Sequence, residues 1–259
     1  MIIRKLIKDF QKIRGREDNI MEKITLTNDL TKNAQKLKLP IIPEAKPVIT
    51  VHWSASTYDA DERKFYHLCV MKGGEAVIGV DIRKNVPTTK SGYAPHTGRN
   101  NGNNIGVSII SCAGITENGT AKGDWGKYAP TEEQIRGLIL VLATLCRFYG
   151  ISHLPPFLIS HGEVTKLRGI RQNGKWDLNT LPGHPWAELH DGTYAAMNYI
   201  RGQVGKTLAA KTTTPKTATE SESLVLYRHL YDFADDMPDK DREIEFLATL
   251  NELRSLIAL

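Results

Sequence analysis

Residues 48–54 read Val48-Ile49-Thr50-Val51-His52-Trp53-Ser54, four β-branched residues in a row that run into an imidazole, an indole and a hydroxyl. Branched side chains fit a pleated, half-buried surface, so the run predicts a buried strand with His52 at its end. The same ending recurs downstream, where Pro155-Pro156 lead into the short strand Phe157-Leu158-Ile159-Ser160, which stops at His161. Between these two, Tyr66–Met71 and Ala76–Val80 flank the turn signal Gly73-Gly74 and predict a hairpin. Ile105–Ile110 follows an Asn- and Gly-rich segment at 99–104 and predicts another buried strand. Thr131 and Gln134 form a capping box ahead of Ile135, Leu138, Ile139, Leu142 and Leu145 at helical spacing, and Gly150 supplies the stop. The stretch 162–183, with Arg168, Arg171 and Lys175, is expected to be an exposed loop, and Trp186–Val204 a closing helix.

Around this centre lie segments of different character. Ile3, Leu6, Ile7, Phe10 and Ile13 fall at helical spacing opposite Arg4, Lys5, Lys8, Lys12 and Arg14. That pattern predicts a basic amphipathic helix over residues 1–20, read first as a packing helix and second as a membrane-surface or partner-binding one. Residues 205–223, rich in Lys, Thr, Ala and Ser without apolar periodicity, are expected to be a linker. Residues 224–259 carry two helical patterns and are a candidate for self-association. The expected organisation is therefore an N-terminal helical extension (1–42), a catalytic domain (43–204), the linker and a C-terminal helical segment.

Composition excludes several classes. In 259 residues, 41% hydrophobic and 24% charged content is that of a globular protein, not of a disordered or collagenous chain. Cys69, Cys112 and Cys146 are odd in number and lack Cys-x-x-Cys spacing, which argues against a disulfide framework or a thiolate zinc knuckle. The +5 net charge predicts attraction to polyanions. The basic residues are spread out and no nucleic-acid-binding motif is present, so nucleic acid is not an expected partner. No apolar run reaches the roughly 20 residues of a membrane span, and no signal-peptide pattern is seen, so stable membrane insertion is not expected.

His52 and His161 each end a strand-like run, and the ends of neighbouring strands can converge on one site. Lys175-Trp176-Asp177 adds a carboxylate in the following loop. Two imidazoles and one carboxylate form a zinc ligand set that leaves a fourth tetrahedral position for water. Zn2+ is thus the expected cofactor, and amide hydrolysis the natural reaction class.

Five features in order now resemble one family: Val51-His52-Trp53-Ser54; Phe65-Tyr66-His67; His96 followed by Asn104-Ile105-Gly106-Val107; Ser160-His161-Gly162-Glu163; and Lys175-Trp176-Asp177 with a later Pro182-Gly183. They are similar to the zinc-dependent N-acetylmuramoyl-L-alanine amidases of the amidase-2 type, which include phage lysozyme-like amidases and relate to peptidoglycan-recognition proteins. The resemblance covers about residues 48–204. It implies an α/β fold with a central mixed β-sheet, flanking helices and zinc at the strand ends in a surface groove. It implies His52, His161 and Asp177 as zinc ligands, Tyr66 beside the metal site, and Lys175 stabilising the tetrahedral intermediate. His184 competes with Asp177 for the third ligand position, but only Asp177 keeps the Lys-x-Asp spacing. The loop between His161 and Asp177 is longer than the family pattern. Ser108 stands where the cytosolic muropeptide-recycling branch is expected to carry glutamate, which leans towards the phage type.

The resemblance further implies peptidoglycan as partner and substrate. It suggests action on the wall after synthesis in the cytoplasm and release through a separate pore; the alternatives are a recycling enzyme and a non-catalytic binding module. His96 and Asn104 are candidates for substrate contact, with a structural loop role as the alternative for His96. His67 is expected on the strand face opposite Tyr66 as a hydrogen-bonded core residue. Glu163 is expected either to support a ligand imidazole or to be an exposed carboxylate. His153, His190 and His229 are assigned surface or packing roles.

Overall fold

A computed structural model describes residues 21–42, 45–116, 125–184 and 186–210. The expected helices over 1–20 and 224–259, and residues 211–223 of the expected linker, lie outside the described residues. A five-stranded sheet with order β3-β2-β4-β1-β5 is built from β1 (Val48–Trp53), β2 (Leu68–Val70), β3 (Ala76–Ile78), β4 (Asn104–Ile109) and β5 (Leu158–Ser160). Neighbours are parallel except for the β2–β3 hairpin. This is the mixed α/β architecture that the resemblance implied, and the strand order is new information. Among the described residues no helix is long and apolar enough to cross a membrane.

The two-residue strand period sorts each central strand into two faces. Ile49, Val51 and Trp53 of β1 join Ile105, Val107 and Ile109 of β4 in one apolar core. That core is covered by helix α2 (Glu132–Tyr149), which buries Leu138, Val141, Leu142 and Leu145. Helices α1 (Leu30–Lys36) and α4 (Ala195–Ala209) pack against α2 in turn. The opposite face of the same strands carries Thr50, His52, Gly106 and Ser108, so one side of the sheet is oily and the other has a polar centre flanked by small apolar clusters around Cys69 and Val77 and around Val48 and Ile159.

The ends of α2 follow the sequence closely. Thr131 Oγ1 accepts from the Gln134 N–H, Gln134 Oε1 accepts from the Thr131 N–H, and Gly150 closes the helix in the left-handed region at φ +62°. Gly137 lies where a Cβ would come within 2.2 Å of the Gly74 carbonyl, so the helix crosses the hairpin turn at backbone contact.

Two expectations need correction. The closing helix starts at Ala195, not Trp186, and runs to Ala209, five residues into the stretch expected as linker. Residues 186–194 instead form a turn in which Glu188 and Tyr194 pair as an isolated bridge. The stretch 162–183 is not simply exposed loop: helix α3 (Val164–Arg168) opens it, and Asp177, Leu178, Asn179, Thr180 and Leu181 are buried. Within the expected N-terminal extension, Ile24 bridges to Ala76, and Leu30, Leu37 and Leu39 enter the main core.

Candidate metal centre

The site lies where the parallel strands β1 and β5 end side by side, the usual place for ligands in open α/β sheets. The β1–β5 register pairs Val51 with Ser160, and the His161 N–H donates to the Val51 carbonyl. His52 and His161 therefore stand on adjacent strand ends, with ring centroids 4.7 Å apart. The third member arrives from far along the chain. Trp176 packs edge-on against Trp53, the last residue of β1, at 4.9 Å between centroids, and the Gly162 N–H donates to the Asp177 carbonyl. Leu178 then adopts φ +61° while fully buried, an uncommon conformation for a bulky residue. These contacts aim the Asp177 carboxylate back at the strand ends.

Asp177 Oδ2 lies 3.0 Å from His52 Nδ1 and 3.2 Å from His161 Nδ1. All three side chains are buried, and their ligand atoms lie within 4.8 Å of one another, close enough to hold one metal ion. Burial pushes the His52 imidazole down to about 4, with the His161 ring adding to the shift and the Asp177 hydrogen bond opposing it. Burial would raise the Asp177 carboxyl, but the His161 and His52 rings outweigh it and hold the group well below the usual carboxylate range. At neutral pH the cluster thus presents a neutral His52 and an ionised carboxylate, the protonation states a divalent cation requires of such donors. A buried negative charge between two imidazoles is also costly unless a cation balances it. The donor set fits zinc, which takes imidazole nitrogen and carboxylate oxygen in tetrahedral sites.

His184, the competitor for the third position, is elsewhere: its ring stacks on Tyr199 at 4.0 Å between centroids. Tyr66, in the segment before β2, lies beside the centre with its ring 5.3 Å from that of His52. Burial raises its phenol, the Asp177 charge adds to this, and a hydrogen bond with Ser108 opposes it, so Tyr66 stays protonated at neutral pH. Lys175 is exposed, two residues before Asp177, and its charge acts to lower His52.

The two residues expected to meet substrate behave differently from each other. His96 is buried and close to the centre, its Nδ1 3.2 Å from His52 Nε2 and 2.8 Å from Thr97 Oγ1. Gly106 makes room for it, since a Cβ there would come within 2.4 Å of the His96 ring. Asn104 is a correction. It opens β4 opposite Val48, at the far end of the strand from His52, and is buried. Its Oδ1 accepts from Thr50 Oγ1 and its Nδ2 donates to the Asn100 carbonyl, so its amide is spent on holding a loop.

His67 is the hydrogen-bonded core residue expected. Its Nδ1 accepts from the Gly106 N–H, which leaves Nε2 to donate to Asn85 Oδ1. Asn85 in turn donates to the Ala94 and Asn101 carbonyls and so holds the loop that carries His96 and Thr97. Glu163 takes neither expected role. It is fully buried, pairs with Arg201 at 2.7 Å, and accepts from the Ser160 and Tyr194 N–H groups. Asn85, Thr97, Gln172 and Arg201 carry no motif by which sequence alone could have singled them out.

In comparison with known proteins, the model of the family Amidase_2, described as N-acetylmuramoyl-L-alanine amidase, matches residues 44–184. No curated protein and no solved structure matched the chain.

Proposed function

Because the chain belongs to the N-acetylmuramoyl-L-alanine amidase family, we propose that it uses zinc held by His52, His161 and Asp177 to hydrolyse the amide joining N-acetylmuramic acid to L-alanine in peptidoglycan. The observation that carries the zinc assignment is the convergence of two imidazoles and one carboxylate within 4.8 Å at the ends of β1 and β5. Zinc in such a three-ligand site acts as a Lewis acid towards a carbonyl oxygen and makes water nucleophilic near neutral pH. The protein's own residues supply the rest. Lys175 offers a cation at the rim of the site, where it stabilises negative charge developing on the carbonyl oxygen. Tyr66, a phenol that burial raises still further above neutral pH, acts as a hydrogen-bond donor rather than as a base. Trp176 against Trp53 holds the segment bearing both Lys175 and Asp177 in register with the sheet.

The assembled wall is the proposed substrate, and a phage endolysin the proposed setting. Ser108 supports this, since the recycling branch is expected to carry glutamate at that position. A net positive charge suits an anionic wall. The test is digestion of purified sacculi by zinc-loaded and chelated protein, with mass spectrometry of the products. Stem peptides with a free L-alanine N-terminus, released only with zinc, are expected. Cleavage of soluble anhydro-muropeptides with intact sacculi would assign the chain to recycling. Wall binding without cleavage of either would make it a recognition module.

A further inference from the structure

The long loop between α3 and Asp177 has a polar anchor directed at a ligand. Gln172 donates from Nε2 to the Gly98 carbonyl at 2.8 Å, and its Oε1 lies 3.1 Å from His161 Nε2. The first bond settles the second: with the amide nitrogen committed to a carbonyl, the oxygen must face the imidazole. An oxygen there can only accept, so it takes the proton on His161 Nε2, and a cation in the site would be met by Nδ1, the atom 3.2 Å from Asp177 Oδ2. We propose that Gln172 is a positioning residue for the metal centre, setting the tautomer and tilt of His161 and tying them to the loop that brings His96 and Thr97 against His52. This rests on the reading of His161 as a zinc ligand. Partners on the far nitrogen of a ligand imidazole commonly contribute 10–100-fold in metal affinity.

The loop does not depend on this side chain for its course. The Gln172 N–H donates to Thr165 Oγ1, and Arg99 donates to the Arg171 carbonyl. Gln172 is itself only half-buried, so its substitution is expected to leave the fold intact.

Two variants separate an acceptor from a clasp. Gln172→Leu removes both the acceptor and the donor; Gln172→Glu keeps an oxygen facing His161 and loses the donor to Gly98. Zinc affinity is measured on the full chain by competition with a chromogenic chelator, with the thermal midpoint of the metal-free protein alongside. Gln172→Leu is expected to bind zinc about 10–100-fold more weakly at an unchanged metal-free midpoint, and Gln172→Glu to restore affinity to within a few-fold of wild type. Unchanged affinity in Gln172→Leu, or equal loss in both variants, overturns the proposal while leaving the zinc site standing. Absence of zinc binding by the wild-type chain overturns the metal assignment itself and this inference with it.

Discussion

The Lys175 charge reaches His52, yet their substitutions should read out differently. His52→Ala removes a proposed ligand nitrogen and is expected to lose both bound zinc and activity, measured by metal content of the purified protein and by release of stem peptides. Lys175→Ala leaves all three ligands in place. It is expected to keep zinc and lose about 10²–10³-fold in kcat, the cost of removing one donor to a developing oxyanion; metal loss in this variant would contradict its role. His67 is the pH-sensitive counterpart. Burial lowers its imidazole to about 4 from an ordinary value of 6.5, so between those values the unfolded chain binds the extra proton. Stability is complete above about pH 6.5 and is lost as pH falls towards 4, by on the order of 3 kcal/mol from this residue. Urea midpoints of metal-free wild type and His67→Gln at pH 7 and 4.5 check this, the variant being expected to show the smaller acid loss.

At the scale of elements, the Glu163–Arg201 pair is the joint between β5, the 186–194 turn and α4. Glu163 follows His161 by two residues and accepts from the Ser160 N–H, while Arg201 on α4 also donates to the Leu158 carbonyl. With the side chains 0% and 2% exposed, neither charge has water to fall back on. Arg201→Met is expected to cost about 3–5 kcal/mol, because it strands a buried carboxylate. Adding Glu163→Gln should recover part of that loss in thermal or denaturant unfolding. A double variant no more stable than the single one would show that packing, not charge, holds the joint.

At the scale of the molecule, the proposed ligands join three parts of the chain: the end of β1, the end of β5 and the segment after the long loop. An ion bound only by the folded arrangement stabilises it by mass action, about 2.7 kcal/mol at a hundredfold excess over Kd. For a chain this size, that raises the thermal midpoint by roughly 5–10 °C. Excess chelator should reverse the shift in wild type and have no effect in His52→Ala. An equal shift in both would place the stabilising metal elsewhere.

The residues of β1 and β4 alternate so regularly that the chain's own order dictates which side chains enter the core and which, His52 among them, face the polar side. The capping box and Gly150 likewise delimit α2 from neighbours three or four residues apart. These features were legible because their physics is local: pleat, helical period and cap each involve adjacent residues. The five-part resemblance singled out His52, His161, Tyr66, Lys175 and Asp177 as candidates, but it could not show that Asp177 meets His52 across 125 residues of chain while His184 turns away to Tyr199. It also offered Asn104 as a candidate for substrate contact and left Glu163 without its partner 38 residues on. Strand order, the burial of Glu163 and Arg201, and the anchoring of His161 by Gln172 depend on which distant groups share a desolvated space. Only the packed tertiary structure decides that, because a buried polar atom takes whichever complementary partner the fold brings within reach.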